Sequence, residues 1–149
     1  MATNMYKKYT EAKTREWIVP EGTKSGDLVI NAKSGQVGVA LADRGDGTRA
    51  AAIPGVTGGT APNGGAGFRA GGAVVAVDGS WIFTVTGATN GGTGAGEAGT
   101  DEGTKVYAVV SSGKVTSLTL TATSNTFVGV IDDGAIVGGK APVLIGAVL

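Results

Sequence analysis

Glycine interrupts this sequence so often that long helices are excluded from most of it. Of its 149 residues, 28 are glycine, and each glycine inside a helix costs about 1 kcal/mol relative to alanine. Between the glycines lie short runs rich in Val, Ile and Thr, residue types that favour strands. Such runs occupy residues 27–30, 36–42, 73–77, 81–86, 105–110 and 126–131. The pattern predicts an all-β chain with many tight turns.

Turn signals and alternation indicate which kind of β fold to expect. Asp78-Gly79 stands between two apolar runs and predicts a hairpin. The segment 115–123 alternates, with Ser117 and Thr119 on one face. Aromatic residues make up only 5% of the chain, so the core must be built largely from small side chains. We expect a compact antiparallel β-barrel or sandwich with glycine-rich loops.

The composition changes near residue 16. Residues 1–16 contain no glycine and carry most of their charge as lysine, arginine and glutamate, which predicts an N-terminal arm, formed either as a short helix or as an extended segment. The arm either frays as a terminus or docks on a partner. Residues 17–149 are predicted to form a single β-domain, since a chain of this length suits one core. Residues 57–72 and 87–103 are predicted to be its glycine-rich loops.

Missing residue types exclude several kinds of chemistry. The chain has no histidine and no cysteine, which removes Ser-His-Asp and Cys-His nucleophiles and the usual zinc ligands. The paired carboxylates Asp101-Glu102 and Asp132-Asp133 are adjacent, so on a strand they would point to opposite faces. We therefore expect no enzyme, no cofactor and no metal site.

Charge and hydropathy also limit the partners. The formal net charge is zero, so the chain lacks the excess of basic residues that is typical of a nucleic-acid-binding protein. The apolar runs are too short to span a bilayer, and the N-terminus has no apolar signal core. We expect neither nucleic-acid nor membrane binding.

Three short motifs imitate functional sites. Residues 134–140 have the glycine and lysine spacing of a phosphate-binding loop, but Ala141 replaces the hydroxyl residue and a strand is predicted to follow. Residues 94–99 match G-x-G-x-x-G, as chance allows in a glycine-rich chain. Arg44-Gly45-Asp46 is the tripeptide that integrins bind, here in a predicted turn. None of these predicts a ligand.

Five pieces of sequence stand in a recognisable order along the chain. They are Ser25-Gly26-Asp27-Leu28-Val29, Val37-Gly38-Val39-Ala40, Gly103-Thr104-Lys105-Val106-Tyr107, Gly113-Lys114-Val115-Thr116 and Asn125-Thr126-Phe127-Val128-Gly129-Val130. This order resembles that of the small capsid decoration (cement) proteins of tailed bacteriophages, which typically show SGD-x-V, GVA, G-x-x-VY, GKVT and N-x-x-x-GV, followed by a final apolar strand. Two features depart from the family: the arm is longer and more charged, and the glycine-rich stretches look like insertions.

The resemblance implies an all-β protein on the outer surface of the phage head. The implied partners are the major capsid protein and further copies of the chain, often as a homotrimer at local threefold positions. The protein would be made in the host cytoplasm and would stabilise the shell against the pressure of packaged DNA. The family has no catalytic residues to carry over.

The arm supplies the candidate contacts with the capsid or a neighbouring copy. They are Tyr6, Lys7, Lys8, Tyr9 and Trp17, chosen because the arm contrasts in composition with the body. For Trp17, as for Trp81, a place in the core is the default interpretation. The alternative function is a host-binding or adhesive β-module of a phage fibre or surface structure, suggested by the glycine-rich loops and Arg44-Gly45-Asp46.

Overall fold

The all-β prediction is confirmed. The computed structural model describes residues 13–45, 70–89 and 101–146 in full, together with the backbone of three further strands, and across this part of the chain it contains strands and turns but no helix. In chain order the strands are β1 Met5–Lys7, β2 Thr14–Ile18, β3 Leu28–Ile30, β4 Val37–Ala40, β5 Arg49–Ala52, β6 Thr60–Pro62, β7 Gly72–Ala76, β8 Gly79–Thr86, β9 Lys105–Ser111, β10 Lys114–Thr119, β11 Thr126–Ile131 and β12 Lys140–Ile145.

The strands form two compact units. The first is built from Thr14–Ala76 and the second from Val77–Leu149, to which the N-terminal strand β1 also belongs. The chain passes from one unit to the other between Ala76 and Val77. That residues 17–149 act as one domain stays a prediction.

The first unit contains a four-stranded antiparallel sheet in the order β2-β7-β4-β3. Strand β2 pairs with β7 over five consecutive residues, from Thr14 opposite Ala76 to Ile18 opposite Gly72. Small side chains such as Ala73 and Val75 are fully buried in β7. Strands β5 and β6 form a separate two-stranded sheet.

The second unit is a closed five-stranded barrel in the order β8-β10-β9-β11-β12. Strand β12 returns to β8 along six register pairs, from Lys140 opposite Thr84 to Ile145 opposite Gly79. The only parallel contact among the described barrel strands joins β8 to β10, where Leu118 lies opposite Val85. The inward side chains are apolar and almost fully buried: Trp81, Val85, Val106, Ala108, Leu118, Val128, Ile131, Ala141, Val143 and Ile145.

One local prediction is wrong, because β7 and β8 do not form a hairpin. Strand β7 ends at Ala76 and β8 begins at Gly79, but the two strands lie in different sheets. The turn is held by other contacts: the Asp78 carboxylate accepts the Lys13 N–H at 3.1 Å, and the Asp78 carbonyl accepts Trp81 Nε1–H at 2.9 Å. Turn chemistry here redirects the chain instead of pairing the strands beside it.

The predicted arm and loops are described in part. Residues 5–7 and 14–16 are strand, so the extended interpretation holds for those positions, and the predicted arm boundary at residue 16 falls inside β2. Strand β6 occupies Thr60–Pro62 within the predicted loop 57–72. Most of both glycine-rich loops lies outside the described residues.

Candidate interaction surface

The residues predicted from the arm belong to different elements of the structure. Tyr6 and Lys7 belong to β1, whose backbone pairs with β8 opposite Ser80 and Trp81. Lys8 and Tyr9 lie outside the described residues. Trp17 is only 7% exposed, within the four-stranded sheet of the first unit. Its burial matches the core role that the sequence left open for it.

A different surface stands out on the outer side of the barrel. In β9, Val106 and Ala108 point into the core and are fully buried, so strand alternation turns Tyr107 and Val109 outward. Tyr107 lies opposite Thr119 of β10 on one side and opposite Phe127 of β11 on the other. We call this the aromatic face, formed by Tyr107, Val109, Ser117, Thr119 and Phe127.

Two rings hold the centre of the aromatic face. The centroids of Tyr107 and Phe127 are 5.9 Å apart at an interplanar angle of 70°. This is the edge-to-face arrangement that aromatic pairs prefer, and such pairs contribute about 0.5–1.5 kcal/mol beyond the area they bury. Both side chains remain half-buried in the chain, so part of each ring is still available for contact.

The aromatic face has the chemistry of a protein–protein contact. None of its five residues carries a charge, and Ser117 lies opposite the half-buried Val109. The core of a protein interface is typically enriched in aromatic residues and depleted of charged ones. Such a face can pack against another protein surface.

Sequence reasoning missed this surface because it depends on strand pairing. Tyr107 and Phe127 are 20 positions apart in the chain, and a β-bulge between Phe127 and Gly129 shifts the register beside them. The one sequence signal for the aromatic face was the alternation that placed Ser117 and Thr119 on the same side of their strand.

Residues 134–140, whose spacing resembles a phosphate-binding loop, end in a β-turn. Val137 and Lys140 exchange two backbone hydrogen bonds, at 3.2 and 3.1 Å. Gly138 and Gly139 between them have φ values of 59° and 73°, which suits the type I′ turn of tight hairpins. Strand β12 begins at Lys140, so the helix N-terminus that would bind phosphate does not follow. At the tip, Val137 is 72% exposed.

The integrin-like tripeptide is partly built into the first unit. Arg44 Nε donates to the Val19 carbonyl at 3.1 Å. Gly45 is buried, and its N–H donates to the Gly72 carbonyl at 2.8 Å. Asp46 lies outside the described residues. Arg44 and Gly45 are therefore both hydrogen-bonded within the first unit.

Charged groups of the first unit organise a turn. The Asp43 carboxylate accepts the N–H of Ser25 at 2.9 Å and the ammonium of Lys24 at 3.0 Å. The backbone hydrogen bond from Ser25, followed by the one from Lys24, holds the pKa of the Asp43 carboxyl below its ordinary value. Asp27 in turn accepts the Lys24 N–H at 2.9 Å. The Ser25-Gly26-Asp27 piece is therefore structural, since it builds the turn before β3.

Neither a metal site nor a membrane-spanning helix is found among the described residues. No group of three or more acidic, histidine or cysteine side chains is placed to hold a metal ion. Nor does that part of the chain form a helix with the length and apolar character needed to cross a bilayer.

Comparison with known proteins adds no further identification. No protein-family model, curated protein or solved structure matches the chain.

Proposed function

We propose that the chain is a structural decoration protein of a tailed-bacteriophage head. It binds the major capsid protein on the outer surface of the shell, as a homotrimer, and stabilises the shell against internal DNA pressure. The proposal joins the ordered sequence resemblance to one structural observation. This observation is the charge-free aromatic face around Tyr107 and Phe127, whose composition suits contact with protein.

The resembling sequence pieces support a scaffold role. Gly113 lies in the tight turn between β9 and β10, and Gly129 lies where β11 meets β12. Residues 37–40 form β4, in which Val39 is fully buried. These pieces specify turns and core, so the residues that carry the resemblance are used to build the fold rather than to bind a small ligand.

Decoration requires little more than surface complementarity. A protein that binds only the assembled shell shifts the equilibrium towards that shell. Many copies, each contacting neighbouring subunits, add their binding free energies without any chemical step. A barrel with a closed core supplies a rigid base for such contacts, because closure leaves fewer free strand edges to pair at random.

Cosedimentation with phage heads tests the proposal. The purified chain is mixed with expanded heads from which this protein has been removed, and bound protein is measured as the concentration rises. We expect saturable binding at a fixed ratio to the major capsid protein. Absence of binding to heads of every maturation state would overturn decoration. Binding to host cells without affinity for heads would favour the adhesive module instead.

A further inference from the structure

The outward row of side chains on β9 continues past the aromatic face in both directions. The register shifts beside this strand fall within β10 and β11, so β9 itself alternates without interruption. Alternation places Lys105 and Ser111 on the same outer side as Tyr107. Ser111 lies opposite Lys114 of β10, and opposite residues of an antiparallel pair share a face. The aromatic face therefore has a lysine beyond each of its two ends.

Both lysines are exposed at the rim of this face. Lys105 and Ser111 are six residues apart in β9, which is about 20 Å along a strand. Between them the outward side chains are Tyr107 and Val109, each half-buried. The side chains of Lys105 and Lys114 are exposed. Because a lysine can lay its hydrocarbon stem along apolar surface while its ammonium group stays in water, both charges can flank a contact that covers the rings.

The barrel strands carry charge of one sign only. Strands β8 to β12, which the structure describes throughout, contain Lys105, Lys114 and Lys140 but no aspartate or glutamate. The described acidic residues of the second unit lie between strands, at positions 78, 101, 102, 132 and 133. The zero net charge of the whole chain therefore conceals an outer face that is apolar at its centre and positive at its two ends.

This charge pattern restricts what can cover the face. A second copy placed face to face would bring lysines against lysines, and like charges across an interface oppose association. A nucleic acid gains its affinity from many phosphate contacts, whereas this face offers two cations about 20 Å apart. A protein surface with an apolar centre and separate carboxylates matches both parts of the pattern.

We propose that the aromatic face binds an acidic patch on the outer surface of the major capsid protein. An apolar centre of that patch receives Tyr107 and Phe127, and carboxylates at its margin lie opposite Lys105 and Lys114. Rim charges of this kind act mainly on the rate of association and on the salt dependence of binding. The inference rests on the proposed function, since it names the chemistry of the capsid surface that the decoration protein contacts.

The salt dependence of head binding tests this inference. Two double variants of equal net charge are compared with the unmodified chain: Lys105→Gln/Lys114→Gln and the matched control Lys33→Gln/Lys140→Gln, whose lysines are exposed in the first unit and on β12. From about 0.1 M to about 1 M salt the Debye length falls from about 10 Å to about 3 Å. We expect the unmodified chain to bind heads about tenfold more weakly at the higher concentration.

The two double variants should behave differently. At about 0.1 M salt, Lys105→Gln/Lys114→Gln should bind about tenfold more weakly than the unmodified chain and should lose most of its salt dependence. The control should match the unmodified chain. All the replaced side chains are exposed, so thermal unfolding should be unchanged. The salt titration of the unmodified chain needs no variant, and binding that does not weaken with salt would by itself contradict an acidic partner.

The outcomes separate this inference from the proposed function. Heads that bind both double variants with equal affinity and equal salt dependence would overturn the acidic patch and leave decoration intact. Absence of binding to heads at every salt concentration would reject decoration, and the inference with it. A lower oligomeric state of Lys105→Gln/Lys114→Gln alone, measured by sedimentation velocity, would assign the face to a second copy. Saturable binding of a single-stranded oligonucleotide that this variant abolishes would assign the face to nucleic acid. Either assignment would overturn the inference.

A charge series separates the sign of the charge from the shape of the side chain. Lys105→Arg/Lys114→Arg keeps both positive charges and should bind heads like the unmodified chain. Lys105→Glu/Lys114→Glu should bind more weakly than the glutamine variant at low salt, and its affinity should rise as salt screens the repulsion. Equal affinities of the glutamine and glutamate variants would show that the lysines act by packing alone, which would refute a carboxylate partner.

Discussion

The far edge of the Trp17 ring lies against the backbone of Gly38, two strands away in the same sheet. A β-carbon built on Gly38 would lie 3.3 Å from Trp17 Cη2 and 2.7 Å from the Ala76 carbonyl oxygen, and it would collide with Val75 Cγ1. The Trp17 side chain, which belongs to β2, therefore extends across β7 to reach Gly38 in β4. This contact makes Trp17 a core residue.

The first prediction concerns this contact. We expect Gly38→Ala to lower the free energy of unfolding by about 2–3 kcal/mol, because the added methyl must displace a fully buried valine or the tryptophan ring. Denaturant unfolding followed by tryptophan fluorescence measures the change. Lys33→Ala, in an exposed turn of the same unit, is the control and should have little effect. Equal stability of the two variants would contradict the packing described here.

A second close approach lies in the barrel, between Gly129 of β11 and the Leu144 carbonyl of β12. A β-carbon at residue 129 would overlap that oxygen, and backbone cannot move aside as a side chain can. We predict that Gly129→Ala costs about 3 kcal/mol or more. Val130→Ala, which shortens a half-buried side chain next to it, should cost less. Thermal unfolding compares the two, and the reverse order would show that β12 can shift.

Ser112 offers a stabilising substitution. Its φ is 50° in the tight turn between β9 and β10, a conformation that costs an L-residue roughly 1–2 kcal/mol. Glycine avoids that cost but loses more backbone entropy on folding, by roughly 0.5–1 kcal/mol. We expect Ser112→Gly to raise stability by about 0.5–1 kcal/mol. Ser111→Gly, within β9, should lower it, so an equal sign for both variants would refute the argument.

Acid should weaken the hydrogen bonds that Asp43 accepts from Ser25 and Lys24, which we call the Asp43 clamp. Because hydrogen bonds from Ser25 and Lys24 lower the pKa of this carboxyl in the folded chain, its stabilisation is complete above the ordinary carboxyl pKa of about 4. The stabilisation is lost as pH falls through the lower folded-state value. We expect Asp43→Asn to be less stable at neutral pH and to lose less stability on acidification.

Denaturant unfolding at several pH values measures this effect. Glu21→Gln removes a different exposed carboxylate and is the matched control. An acid profile of Asp43→Asn that superimposes on that of the unmodified chain would mean that the clamp contributes nothing to folding.

The aromatic face predicts where head binding is sensitive. We expect Ser117→Glu to weaken binding to heads by about 30-fold, since a charge placed inside an interface is desolvated without a partner. Ala32→Glu makes the same charge change in an exposed turn of the first unit and should bind normally. Both variants should keep the unfolding temperature of the parent chain. Unimpaired binding of Ser117→Glu would place the contact elsewhere.

Some local features of the fold follow from the conformational preferences of neighbouring residues. Gly113, Gly138 and Gly139 all adopt positive φ in tight turns, a conformation that glycine reaches without steric cost. Alternation in residues 115–123 predicted that Leu118 lies on the opposite face from Ser117 and Thr119, and Leu118 is buried in the barrel. The all-β class follows from the same short-range preferences.

Pairing between distant segments could not be predicted in this way. Asp78-Gly79 has the composition of a hairpin turn, yet β7 and β8 separate into different sheets. The burial of Trp17 depends on Gly38, which comes 21 positions later in the chain. A single sequence carries no local signal for either relationship.

By itself, the sequence determined that this protein is all-β and which catalytic chemistries it lacks the side chains to perform. Only the tertiary structure decided which strands close the barrel, that Trp17 is core, and that Tyr107 meets Phe127 on an outer face. The physical reason is the separation along the chain over which each effect acts. Backbone dihedral preferences and alternation are set by covalent neighbours, whereas strand partners are chosen by the burial of side chains that are distant in the chain.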